Sequence, residues 1–247
     1  NNQIKSGIIR FDFHDGRSGE LLRSKEVSLA AAGNNPGQRT IHHAVGFQVS
    51  FTDDCFYSPA LMQIEPVKKV YGISGDVLGR AYAVGPTSVP LARSITVSFD
   101  LENETDKSRL GLYRLNDKNK WKWVDSEISQ NIISAESDFV GTFAVIEDTK
   151  SPRVKKIYPP KGKTVKTALP KISCTIEDNL SGIKDDGNVT VLLDGQWLIP
   201  EYDPETKRLE TYPRSALANG QHDLVIKFSD RAGNERSVFS YFFVKER

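Results

Sequence analysis

The sequence predicts an all-β chain built as two β-sandwich domains in tandem, the second of them immunoglobulin-like. Two observations lead there. Apolar and polar residues alternate at the period of a half-buried strand in one segment after another. Tight-turn pairs such as Asp194-Gly195 and Asn219-Gly220 separate those segments, and no apolar stripe at helical spacing is sustained for about ten residues. The division falls near residue 150, where Thr149-Lys150-Ser151-Pro152 is a polar break and Tyr158-Pro159-Pro160-Lys161-Gly162 cannot lie inside a sheet. The domains are therefore read as 1–149, a β-sandwich, and 150–247, the immunoglobulin-like sandwich.

In the first domain, Ile8, Ile9, Phe11 and Phe13 begin a strand that stops at Asp15-Gly16. Leu21 to Ala32 is the nearest thing to a helical turn or two, and Ala30 to Gly37 reads as a flexible loop. Val45, Phe47, Val49 and Phe51 alternate, Leu61 and Ile64 close a further apolar segment, and Tyr71, Ile73, Tyr82 and Val84 flank a polar, glycine-bearing stretch. Ile95, Val97 and Phe99 form a clean strand, followed less regularly by Leu110, Leu112 and Leu115. Asn116 to Asn119 turns the chain into Trp121-Lys122-Trp123, and Phe139 to Ile146 finishes the domain.

The second domain is more regular. Ile172, Cys174 and Ile176 share one face of a strand, as do Val189, Val191 and Leu193; Asp194-Gly195 then makes a hairpin with Gln196 to Ile199. A turn at Tyr202 to Glu205 leads to a short strand through Leu209 and Thr211. After Asn219-Gly220, Leu224, Ile226 and Phe228 face one way, and Ala232-Gly233-Asn234 reverses the chain into Val238 to Val244. About seven short strands with turns at such intervals make a sandwich of immunoglobulin size.

Composition excludes several classes. The 33 Lys and Arg residues against 32 Asp and Glu leave a net charge of +1, which does not suit a nucleic-acid binder. No apolar run approaches the roughly 20 residues that cross a bilayer as a helix, so the chain is read as not transmembrane. Cys55 and Cys174, one per domain, are too few for a disulfide framework and read as small buried side chains. No serine sits in a GxSxG elbow, and no glycine run has phosphate-loop or dinucleotide spacing. His42 and His43 are adjacent, so on a strand they point to opposite faces and cannot converge on a metal. His14, between Asp12 and Asp15, lacks further ligands, and His222 reads as a turn or packing residue. The chain is accordingly read as no enzyme, with no catalytic, cofactor-binding or metal-binding residues.

Three weaker features remain. Acidic pairs at Asp53-Asp54, Glu177-Asp178 and Asp185-Asp186 leave a slim opening for calcium, which takes six or more oxygen ligands; solvated loop caps are the alternative. Trp121 and Trp123 share a strand face and Trp197 follows a tight turn, so these rings either stack on sugars or pack in the core. From Lys150 to Lys171 the chain is basic, with Lys155, Lys156, Lys161 and Lys163 at its centre and no acid before Glu177. That run is either a contact for an anionic cell-wall polymer or a solvated edge strand kept from pairing by its lysines.

The order of several short motifs carries a resemblance. Asp178-Asn179-Leu180-Ser181-Gly182-Ile183, Leu193-Asp194-Gly195-Gln196-Trp197-Leu198, Asn219-Gly220-Gln221-His222-Asp223-Leu224 and Asp230-Arg231-Ala232-Gly233-Asn234 resemble the immunoglobulin-like module behind the catalytic domain of secreted lysostaphin-like zinc metallopeptidases of Bacteroidetes-type bacteria. Gly111 to Leu115, Lys120 to Trp123 and Gly141 to Asp148 resemble the companion β domain. The resemblance runs from about Phe56 to the end. It implies a non-catalytic accessory segment of a secreted, periplasmic or cell-surface protein, with a catalytic domain elsewhere in the parent chain as its partner. Zinc in that family is held by an HxxxD pair and an HxH pair, and this chain has neither.

Overall fold

The structure, a computed structural model, describes residues 6–32, 39–58, 60–70, 73–101 and 106–245. Among them the chain is all-β, twenty-one strands with short 3-10 turns at Asp53–Cys55 and Asp186–Asn188, and the strands build β-sandwiches. It divides into two compact units, residues 1–147 and 148–247.

The first unit holds twelve strands: β1 (Ser6–His14), β2 (Leu21–Ala32), β3 (Arg39–Ala44), β4 (Phe47–Thr52), β5 (Ala60–Pro66), β6 (Asp76–Gly85), β7 (Ile95–Asp100), β8 (Leu110–Leu115), β9 (Trp121–Val124), β10 (Ser126–Ser129), β11 (Ile132–Ser137) and β12 (Gly141–Glu147). One sheet runs β1-β2-β5-β6-β12-β8-β9 and the other β10-β11-β7-β4-β3, antiparallel throughout. Alternation supplies the core directly. Phe47, Val49 and Phe51 of β4 and Ile95, Val97 and Phe99 of β7 are buried together with Met62, Ile64, Tyr82, Val84, Leu112, Phe143 and Val145 of the other sheet. The Phe47 and Tyr82 rings stack across the interior with centroids 4.8 Å apart, tying the two layers.

Two expectations change here. Leu21 to Ala32 is a strand, paired to β1 from Ser6↔Ala30 to His14↔Leu21 and to β5 on its other side. The helix-forming Leu, Lys, Glu and Ala of this run yield to two ladders, since propensity is a weak prior against pairing. The loop expected from Ala30 onward gives its first three residues to β2; residues 33–38, and the side chains of His42 and His43 on β3, lie outside what is described. The hairpin β10–β11 had no signal in the sequence because its turn carries Gln130 at φ 55° where a glycine would have announced it.

The second unit holds β13 (Arg153–Tyr158), β14 (Thr164–Val165), β15 (Ile172–Glu177), β16 (Val189–Leu193), β17 (Gln196–Leu198), β18 (Glu201–Asp203), β19 (Arg208–Thr211), β20 (Gly220–Ser229) and β21 (Glu235–Val244). The sheets are β13-β15-β19-β18 and β14-β21-β20-β16-β17. The first strand of the sandwich is split, β13 lying on the edge of one sheet and β14 running parallel to β21 in the other. The chain changes sheet between β15 and β16, between β17 and β18 and between β19 and β20, the Greek-key crossing of an immunoglobulin-like sandwich. Ile172, Cys174, Ile176 and Leu209 meet Val189, Val191, Leu224, Ile226 and Phe242 in its core.

Candidate functional site

Three carboxylates converge at one end of the second sandwich. Asp148 precedes β13, Asp178 follows β15 and Asp230 follows β20, and one carboxylate oxygen from each lies within 4.8 Å of the others. Asp148 and Asp230 are almost fully buried, Asp178 partly. Each is held by backbone N–H groups of the loops it joins. Leu180 N and Gly182 N donate to Asp178 Oδ2 at 2.8 Å each, and Gly182 adopts φ +75° to bring its amide round. Ser181 N donates to Asp148 Oδ2 (3.1 Å) and Lys150 N to Asp148 Oδ1 (3.1 Å). Asn234 donates from its backbone N to Asp230 Oδ1 (2.8 Å), and from Nδ2 to both Asp230 Oδ2 (2.9 Å) and the Asp148 carbonyl (2.8 Å). Arg231 reaches back, its Nη1 donating to the carbonyls of Ser181 and Ile183.

The electrostatics follow from that packing. Burial pushes the Asp230 carboxyl up to about 6; the Asn234 hydrogen bonds oppose the shift, and the charges of Asp148 and Asp178 add to it. Hard cations take such oxygen sets, and so does a proton shared among crowded acids. The cluster offers three carboxylates and no thiol or imidazole.

The other expected contacts are distributed differently. Among the described residues of the acidic pairs, only Asp178 joins the cluster. Asp54 pairs with Arg93 at 2.8 Å, Glu177 with Lys155, and Asp185 Oδ1 accepts from Gly187 N, while Asp186 accepts from Tyr202 N. The Asp53 side chain lies outside the description. Trp121 is only 6% exposed, and Trp123 is half-buried with its ring edge-on to Tyr113 and its Nε1 donating to Asp125. The Trp123 ring also covers Gly111, where a Cβ would collide with it. Neither ring of that pair is a free platform: they lie on the face of the sheet opposite the core-facing Leu112 and Val124, where Trp121 is buried and Trp123 packs on Tyr113 and Gly111. Trp197 differs: it is 49% exposed, with the Arg214 guanidinium 5.4 Å from its ring centre.

The basic run is divided among several partners. Lys155, on the edge strand β13, pairs with Glu177 of β15; Lys171 pairs with Glu210 of β19; and Lys161 Nζ lies 5.7 Å from the centre of the Tyr241 ring. Lys156, at φ 54°, marks an irregularity in the β13 register, and Lys163 is exposed beside β14. A stretch with no acid in sequence is thus partly neutralised across the strands. The sequence places Asp148, Asp178 and Asp230 in separate motifs and does not join them, since only the topology of the second unit brings the approach to β13 and the ends of β15 and β20 together.

Residues 35–148 match the family model of the Zu5-like domain. Among solved structures, the chain is similar to dimeric latent PorU from Porphyromonas gingivalis, at 14% identity and a TM-score of 0.34. That alignment covers 98% of this chain and 22% of the PorU chain, so this chain spans less than a quarter of that protein. No curated protein matches it.

Proposed function

We propose that this chain is a non-catalytic accessory segment of a larger secreted or cell-surface bacterial protein, and that its two sandwiches position a peptidoglycan-directed metallopeptidase domain carried elsewhere in the same polypeptide. The observation that carries this reading is the way Asp148 is bonded: the segment leading into β13 is fastened to the 178–183 and 230–234 loops by buried hydrogen bonds. Such bonds anchor the start of the second sandwich to its own loops, which suits a structural module. The match of residues 35–148 to a Zu5-like domain supports placing the first unit among non-catalytic modules. Peptide mapping of the native polypeptide, captured with an antibody to this chain, should find a peptidase domain in the same molecule. A native polypeptide lacking one would overturn the reading, as would peptidoglycan cleavage by the purified chain alone.

A second reading rests on Trp197. Half-exposed and flanked by Arg214, it is the tryptophan a sugar ring could reach, which would make the second unit a carbohydrate- or cell-wall-binding module with the basic strand β13 assisting. Soluble glycan fragments should then quench its fluorescence saturably, and Trp197→Ala should abolish the response. Linear, non-saturating quenching would reject this reading.

A further inference from the structure

The outer face of the sheet β14-β21-β20-β16-β17 carries an apolar row that the alternation rule does not call for. Trp197 of β17 stands beside Leu192 of β16, Leu192 beside Val225 of β20, and Val225 beside Phe239 of β21. Their chain neighbours Leu198, Val191, Leu193, Leu224 and Ile226 face the core, so these four face out. Phe239 is 70% exposed. Four strands at about 4.8 Å spacing make the row about 14 Å long. Single exposed apolar residues are ordinary on a protein surface, whereas a contiguous row in register across a sheet marks a surface that is covered in use.

The charges beside the row indicate what covers it. On β20, one outward step from Val225 in one direction is Asp223, opposite Tyr241; one step in the other direction is Lys227, opposite Thr190 and Ser237. Both are exposed. Identical chains that close on each other do so about a twofold axis, with the same patch on both sides. A twofold parallel to the row lays row upon row and sets Asp223 of one copy against Lys227 of the other, twice. A twofold parallel to the strands would instead bring Asp223 against Asp194 of the second copy, since Asp194 lies beside Asp223 on the neighbouring strand end. The charge pattern favours the first axis and opposes the second. We propose that this face docks on a second copy of this chain, row against row, with reciprocal Asp223–Lys227 pairs fixing the orientation.

Sedimentation velocity on the purified chain, over a concentration series reaching about 100 µM, tests this. A reversible dimer is expected, and Val225→Arg should leave only monomer. Asp223→Lys and Lys227→Asp should each weaken the dimer about tenfold or more by setting like charges face to face. The double swap Asp223→Lys/Lys227→Asp should recover it, and an equimolar mixture of the two single variants should form a heterodimer, which also shows that both variants are folded. A wild-type chain that stays monomeric throughout would overturn the proposal. So would a dimer indifferent to the charge swaps, because association would then use another face, such as the β1–β2 hairpin with its exposed Ile9, Phe11 and Phe13.

Discussion

Asp230 gives the second unit a pH dependence opposite in sign to that of a salt-bridged aspartate. Its folded value of about 6 lies above the ordinary 3.8, so the folded chain binds the proton more tightly than the unfolded one. The stability it contributes is fully present below the unfolded value and is lost as pH rises from about 4 through 6. The cost is on the order of 1 to 3 kcal/mol. Chemical denaturation at pH 4 and pH 7 should show this loss in the wild type and a much flatter profile in Asp230→Asn. Partly buried carboxylates such as Glu177 and Glu210, held below the usual range by hydrogen bonds from Lys155 and Lys171, act in the other direction in both proteins and cancel in the comparison. We propose that a proton, with no metal, balances the cluster, so a chelator should leave the profile unchanged. A rise in melting temperature on adding millimolar calcium would contradict that. None of this could be foreseen from the place of Asp230 just after β20. An aspartate's environment depends on which loops share its end of the sandwich.

At the scale of single elements, β8 and β9 depend on one missing side chain. Gly111 is the floor on which the Trp123 ring lies, and Gly111→Ala forces that ring off its seat. A loss of about 1 to 3 kcal/mol is expected, with a red-shift in tryptophan emission as Trp123 gains solvent. Edge strand β13 should be indifferent by comparison. Changing Lys155, Lys156, Lys161 and Lys163 together to glutamine removes a surface ion pair worth about 0 to 1 kcal/mol, so the melting temperature should barely move. Retention on anionic cell envelopes at low salt should fall if the run is a contact, and equal retention of both proteins would leave it as an edge guard. The strands of the second unit were legible because Ile172 to Ile176 and Leu224 to Phe228 alternate without interruption and glycine-bearing turns bound them. Those of the first were harder. The β1–β2 hairpin projects exposed Phe11 and Phe13, so its pattern does not report a buried face, and the β10–β11 turn has no glycine.

On the scale of the whole chain, the two units each bury a core of their own, one centred on Phe47, Val97 and Phe143 and the other on Ile176, Val191 and Phe242. We propose that they are separate folding domains, with Asp148 belonging to the second because its carboxylate is bonded to Lys150 and Ser181. Calorimetry should then resolve two transitions, and Leu209→Ala, which removes a fully buried side chain, should lower only one of them by about 2 to 5 kcal/mol. A single transition shifted as a whole would show one cooperative unit. The polar break at Thr149 to Pro152 is the sequence feature that suggests a division. The placement of the acids, the half-exposure of Trp197 and the row beside Val225 were not visible there, because each depends on which strands become neighbours.

The parallel pairing of β14 with β21 has a mechanical meaning. Gly162 N donates to the Tyr241 carbonyl, Phe243 N to the Lys163 carbonyl and Lys245 N to the Val165 carbonyl, all between 2.8 and 3.0 Å. When tension is applied between Asp148 and Lys245, the two parallel strands are drawn past each other lengthwise, so these bonds lie across the line of pull and are loaded in shear. They must break together, whereas an unzipping hairpin gives way one bond at a time. A module clamped in this way transmits force between whatever it joins before it yields. Under single-molecule stretching, Phe243→Pro, which deletes the middle donor, should lower the rupture force of the second unit and leave that of the first unchanged.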